Sequence, residues 1–272
     1  MKKSFTSFWR RNLGFFRLAI ITNLEYRLNY FTDAVFQPVL STLIEITLWV
    51  AVFASAATTE IGGFSRESYL IYVLWAAFIG RISATWMYEF RMIEEIEMGS
   101  VNTLLARPVS FFEYYLSQFM GYKLITSAIS LTIPLAASAY FRLPLEYSRL
   151  PAALSLVIFQ LFFIHTMSFC VACLAFNLNK VSSFTMAKNL ALWLFSGELF
   201  PLDLLPTGWR EVMIALPFAN SVYVPVAYLT GRVGADILWQ GFASTALGLF
   251  LFSLLARHLW MSGLRTYSGT GA

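Results

Sequence analysis

Charge is scarce in this chain: Asp, Glu, Lys and Arg make up 12% of its 272 residues, against 58% for apolar residues. A soluble domain of that length needs far more polar surface, which excludes the soluble globular class. Histidine occurs only as His165 and His258, far apart and without acidic neighbours at metal-ligand spacing, so both read as packing or interfacial residues. The two cysteines, Cys170 and Cys173, lie one helical turn apart. They would suit a soft metal, but a lone pair lacks the other ligands of a closed zinc site, and free cysteine is also a small hydrophobe. No metal site is assigned. No G-x-x-x-x-G-K-[ST] phosphate loop and no nucleophile elbow occur, so neither an ATPase site of that kind nor a catalytic residue is assigned. Internal repeats and low-complexity linkers are missing, and the basic start lacks the apolar core and cleavage site of a signal peptide. The net charge of +4 is accounted for by that basic flank and calls for no nucleic acid.

What the chain has instead is apolar length. Six stretches, 34–58, 68–87, 116–140, 152–176, 181–199 and 236–259, each approach the ~20 residues that span a bilayer core. Helices are expected, because lipid offers no partner to an unpaired backbone amide. A seventh stretch, 209–229, is interrupted by Pro217 and Pro225 and reads as two short helices dipping in from one side, or as a seventh crossing. With six crossings, fourteen Lys and Arg residues fall on the side of the termini and five on the other, which places both termini in the cytoplasm. Arg81, Lys123 and Lys188 are among the fourteen. In 4–30, Phe8, Trp9, Phe16, Ala19 and Ile20 share one helical arc, with Arg10 and Arg17 opposite. This suits a helix in the cytoplasmic headgroup layer, or simply a basic flank that sets topology.

Two polar features stand out. Glu45 lies near the middle of the first span, where an uncompensated charge costs about 2.5–3.5 kcal/mol on insertion scales. It is expected either to face a partner chain, a polar cavity or a cation, or to be a protonated acid bonded to a neighbouring helix. The connection 88–108 is the second. Met92, Ile93 and Ile96 fall on one arc, and Glu94, Glu95 and Glu97 fill the rest, with Met98 also on the acidic side. Gly99 suits a helix stop, Ser100 a cap for a second short helix, and Pro108 its end. The segment is either an amphipathic turn on the membrane surface or a docking element; anionic headgroups would repel its carboxylates, whereas a basic protein groove would attract them.

Ile96-Glu97-Met98-Gly99-Ser100, followed by Leu104-Leu105-Ala106-Arg107-Pro108-Val109-Ser110, resembles a motif of the ABC-2-type permeases, the membrane subunits of type 2 ATP-binding-cassette exporters. Ser196-Gly197-Glu198-Leu199-Phe200-Pro201-Leu202-Asp203-Leu204-Leu205-Pro206 is similar to a second family stretch; Leu216-Pro217-Phe218 and the tail Gly263-Leu264-Arg265-Thr266-Tyr267-Ser268-Gly269 add two more. The resemblance runs over nearly the whole chain, to a bacterial branch often paired with a second permease. It implies an all-α membrane protein with an interfacial amphipathic segment over 1–33 and one six-span permease domain over 34–272. Within that domain it implies a cytoplasmic coupling helix over 91–105 and a re-entrant hairpin over 198–235. Arg91, Met92, Ile93, Glu94, Glu95, Ile96, Glu97 and Arg107 would then dock an ATPase, the apolar arc filling its groove and the carboxylates meeting a basic rim. Glu198, Phe200, Pro201, Asp203, Pro206 and Pro217 would form an outer lid, although Glu198 and Asp203 also read as plain outer-surface charges.

The implied partners are two copies of a soluble ATPase that bind ATP and magnesium, a second permease (identical or related) and membrane lipid. The implied location is the bacterial cytoplasmic membrane. The chain itself would bind no cofactor and hydrolyse nothing. A secondary carrier would show paired intramembrane charges or broken helices, and only Glu45 qualifies by sequence. A lipid-modifying enzyme would need a clustered polar site, and none is seen. With few charges lining the spans, an apolar, amphipathic or lipid-linked cargo is expected.

Overall fold

The computed structural model describes residues 12–22, 28, 31–56, 60–178 and 180–267. Its helices, in chain order, are α1 (Asn12–Thr22), α2 (Thr32–Ser55), α3 (Arg66–Ser83), α4 (Trp86–Glu97), α5 (Asn102–Leu105), α6 (Phe111–Tyr140), α7 (Leu150–Cys173), α8 (Ser182–Phe195), α9 (Thr207–Ala215), α10 (Tyr223–Leu229) and α11 (Ala235–Thr266). A two-stranded hairpin, Glu60–Ile61 with Phe64–Ser65, links α2 to α3. Ser65 caps α3 by accepting from the Ser68 amide, and Ser110 caps α6 by accepting from the Glu113 amide, each satisfying a donor the first turn leaves over.

Five of the six expected spans appear as helices long and apolar enough to cross a membrane, counting α3 with α4 and α7 with its flanking turns. The stretch 181–199 differs. Its helix, α8, has 14 residues and measures about 21 Å, short of a bilayer core of about 30 Å. The helix stops because its next carbonyls are taken elsewhere: the Tyr223 amide donates to Ser196 and the Tyr72 hydroxyl to Gly197, while Pro201 has no N–H to offer Gly197.

α3 and α7 form the centre. Some 75% and 78% of their most apolar windows are buried, against 11% in α2 and 22% in α11. The outer helices therefore expose rows of large apolar side chains, Leu40, Leu43, Ile44 and Leu48 on α2 and Leu247, Phe250, Leu251 and Leu254 on α11. Patches of that extent are tolerated against lipid tails and not against water. One part of the core gathers Tyr69, Tyr72 and Trp75 of α3 with Leu156 and Leu161 of α7 and Tyr223 and Val224 of α10. Another joins Met92, Ile93 and Ile96 of α4 to Phe111 and Tyr115 of α6, Phe169 and Cys170 of α7 and Ala256 of α11. Cys170 and Cys173 are both free and buried there, as packing residues, and no metal-binding cluster occurs among the described residues. His165 is likewise packed among the rings of Tyr88, Phe112 and Phe119.

Stretch 209–229 forms two short helices, α9 and α10, joined by a turn over Pro217–Ser221. Asp203 before α9 binds Arg232 after α10 at 3.5 Å and Arg210 at 2.9 Å, so the hairpin begins and ends on one side of the fold. Its turn is held deep between α7 and α11. Gln160 donates to the Pro217 carbonyl at 2.7 Å, and Asn220 donates to Ser244 and Thr245 at 2.8 and 3.0 Å. These bonds satisfy backbone and amide groups that would otherwise be orphaned in an apolar interior.

Much of the expected headgroup segment, including Phe8, Trp9 and Arg10, lies outside the described residues, as do Thr58 and the last two residues of the C-terminal motif. Within α1, Phe16, Ala19 and Ile20 turn inward while Arg17 is exposed. Ala19 meets Gly121 of α6 so closely that a side chain at Gly121 would overlap it. The described part of that arc, Phe16, Ala19 and Ile20, therefore packs against protein.

Candidate functional site

The most informative polar groups are those the sequence reading assigned to the cytoplasmic flank. Arg81 sits in the last turn of α3 and pairs with Asp33, in the π-helical first turn of α2; the Tyr122 hydroxyl donates to the same carboxylate. Such turns recur at functional sites because the extra residue re-aims a side chain. Lys123, buried within α6, donates to the Arg81 carbonyl at 3.0 Å. Next along the chain, Ala84 and Thr85 break the helix, with Ala84 extended. Just past the break, Glu89 of α4 forms a buried ion pair with Lys188 of α8. Lys188 also donates to Ser168 at 2.8 Å and Thr85 at 3.2 Å. The expectation that only Glu45 is a charge within the spans does not hold: two ion pairs and Lys123 share the interior. The reason is geometric, since these cations were counted with the cytoplasmic flank and only the packing shows that they turn inward. Removing Arg81, Lys123 and Lys188 from the fourteen flank cations leaves eleven against five, so the orientation argument keeps its sign.

Glu198 belongs with these groups and not at an outer surface. Its carboxylate occupies the space a side chain at Gly80 would fill, and it lies within electrostatic reach of Arg81, Lys123 and Glu45. The missing side chain at Gly80 is what admits this carboxylate. Glu45, on α2, is partly buried and close enough to Tyr69 to interact with it. A cavity of about 380 Å³ opens beside Glu198, bounded by Arg81, Thr85, Asn189, Trp193, Ser196 and Ser221 among others. The Asn189 side-chain amide nitrogen is buried against it without a hydrogen-bond partner.

The expected lid residues divide. Phe200 is partly buried and Pro201 buried, at the turn that ends α8, while Pro206 is exposed at the start of α9. Asp203 holds the hairpin mouth through Arg210 and Arg232, and the Arg232 guanidinium stacks 3.4 Å from the Phe64 ring centre. Pro217 lies at the bottom of the hairpin, against Gly248.

The expected coupling helix is shifted and its apolar arc is reversed. α4 starts at Trp86, stops at Glu97, and turns at Gly99, whose φ of 76° suits glycine. Ser100 does not cap α5; its hydroxyl donates back to the Glu95 carbonyl, and Val101 takes the cap position. Met92, Ile93 and Ile96 are at most 5% exposed, packed into this chain's own core, so they offer no surface to a partner's groove. Their periodicity had an intramolecular cause. Glu95 is partly buried beside Tyr115 and 3.9 Å from Arg91. The exposed surface of the segment includes Arg91, Glu94, Glu97, Met98, Leu105 and Arg107. Met98, the exception to the arc, is 62% exposed and is its most accessible apolar group. Met92→Ala is accordingly expected to act on stability, at about 2–5 kcal/mol for a buried methionine. Thermal unfolding of the detergent-solubilised chain checks this; an unchanged midpoint would show that the arc is not core.

The sequence pattern of the ABC-2 family transporter proteins matches residues 39–271. Over 165 residues the chain is 24% identical to "Inner membrane transport permease YhhJ" of Escherichia coli K12, and equally to the protein of that name in Shigella flexneri. These alignments cover 60% of this chain and 44% of each relative, so the chain spans less than half the length of the curated relatives it matches. The family pattern runs from within α2 through the Glu89–Lys188 pair, the tip of α4, the hairpin and α11, and on that extent the chain belongs to the ABC-2 family of membrane transporter proteins.

Proposed function

We propose that this chain is the membrane-spanning permease subunit of an ATP-driven exporter. It forms the translocation path for an apolar, amphipathic or lipid-linked compound and couples it to a separate ATPase that holds ATP and magnesium. The observation that carries the reading is the build of α4. Its tip and the α5 turn that follows present Glu94, Glu97, Met98, Leu105 and Arg107 outward, while the other face of α4 is packed against α6, α7 and α11. A push on that tip is transmitted to the bundle, because a close-packed interface moves as a body. The same helix carries Glu89, so the push reaches α8 through Lys188 and arrives beside the cavity at Glu198. Docking then rests on the exposed carboxylates meeting basic residues of the ATPase, with Met98 and Leu105 as apolar contacts.

Six crossings complete this reading, with α8 and the turn after it as the fifth and the α9–α10 hairpin re-entering from the outer side. Both termini are cytoplasmic, supported by eleven flank cations against five. A bacterial inner-membrane location is supported by the names of the relatives. A second permease, identical or related, covers part of the exposed face of α2 or α8, and lipid covers the rest. The buried Glu89–Lys188 pair and the partly buried Asp33–Arg81 pair favour one other reading, a carrier driven by an ion gradient. Proteoliposomes holding the chain with its ATPase separate the two: movement of cargo is expected only with hydrolysable ATP. Movement driven by an ion gradient without the ATPase would overturn the proposal.

A further inference from the structure

Arg81 and Glu198 line the cavity, and among the charged groups linked to them acids outnumber bases. Asp33, Glu45 and Glu198 supply three carboxylates, and Arg81 and Lys123 supply two cations. Asp33 and Arg81 are already paired, whereas neither Glu198 nor Glu45 makes an ion pair or side-chain hydrogen bond among the described residues. Below them, Glu89 and Lys188 neutralise each other. One acidic group is left without a basic partner in an interior where an unpaired charge is costly. A second observation lies on the same cavity: Asn189 is 4% exposed and its side-chain amide nitrogen has no acceptor. The wall beyond is apolar, with Ile164, Leu192 and Val222 inside and the half-exposed Trp193 at the edge. The volume of about 380 Å³ is within the range of small-molecule sites.

We infer that this cavity binds the positively charged group of an amphiphilic amine, with Glu198 as its counter-ion. Asn189 donates to an oxygen next to that group, and Trp193 and its apolar neighbours cover the hydrocarbon body. Gly80 is the positioning residue, because the absence of a side chain there lets the Glu198 carboxylate reach the cavity. Glu45 adds a second negative charge from α2. The inference names a cargo class for the permease proposed above, and it rests on that reading only in calling the bound compound cargo.

The test uses the full chain in lipid nanodiscs and two probes of one shape and opposite sign, tetraphenylphosphonium and tetraphenylborate, with empty nanodiscs subtracted. Saturable binding is expected for the cation and not for the anion. Glu198→Gln is expected to weaken cation binding about tenfold or more, the scale of losing one desolvated charge partner. Gly80→Ala is expected to match it, and needs only the mobile end of Glu198 to move, so it carries the test if Glu198→Gln fails to fold. Equal binding of the two probes, no saturable cation binding, or wild-type affinity in Gly80→Ala would overturn the inference. Because binding is measured without ATP or the ATPase, failure of the exporter reading would appear separately, as no ATP-driven movement of any compound.

Discussion

Lys188→Met alone is expected to abolish most of the folded protein, and Lys188→Met combined with Glu89→Met to restore it. Glu89 is fully buried and Lys188 nearly so, and around them, among the described residues, only Thr85 and Ser168 offer hydrogen bonds. Removing the lysine leaves a carboxylate with no counter-charge in a medium that solvates it poorly. Breaking a buried pair in this way costs about 3–5 kcal/mol, a large part of a total stability of about 5–15 kcal/mol. Replacing both partners by apolar side chains of similar volume removes the desolvation cost along with the attraction, and is often neutral. The measurement is the yield of monodisperse protein and its thermal midpoint in detergent for the two single variants and the double variant. Equal stability of Lys188→Met and the wild type would mean that water reaches the pair. Transport by a stable double variant then separates structure from motion: loss of activity with a normal midpoint is expected if the pair relays force from α4 to α8.

The second large effect is expected at the tip of α4. Glu94→Lys with Glu97→Lys should leave insertion and the thermal midpoint unchanged, because both side chains are exposed. It should lower affinity for the ATPase by more than about tenfold, since like charges would then face the basic rim inferred for the partner. ATP-driven transport falls with it. Glu95 is left out of this test because it is partly buried beside Tyr115, so reversing its charge would disturb the fold as well. Pull-down of the ATPase on immobilised permease reads the first quantity, and uptake into inverted vesicles reads the second. Normal ATPase binding by the charge-reversed chain would remove α4 as the docking element.

How much of this was legible beforehand depends on the range of the interaction. The helices α2, α3, α6, α7 and α11 were readable because hydrophobic length is a local property, and Pro217 announced the break between α9 and α10 because a missing amide acts where it stands. The short α8 was not readable. It ends where Tyr72 and Tyr223, distant in sequence, take its last carbonyls. The arc of Met92, Ile93 and Ile96 was seen correctly, but periodicity tells only that one face is buried and not what buries it. The site was less legible still. Glu198 was marked out by its motif, yet its contact with Gly80 joins positions more than a hundred residues apart. Arg81, Lys123 and Lys188 were counted as flank cations because hydropathy along the chain does not tell which neighbour a charge faces.

Composition and periodicity by themselves determined that this is a helical membrane protein without its own phosphate loop, and the motifs marked which polar segments to follow. The tertiary structure alone decided where the charges pair, which face of α4 is free, and that one carboxylate is left beside a cavity. Hydrophobic length is recorded along the chain, residue after residue. Electrostatic partnership is recorded only in space, between helices that the chain order does not bring together.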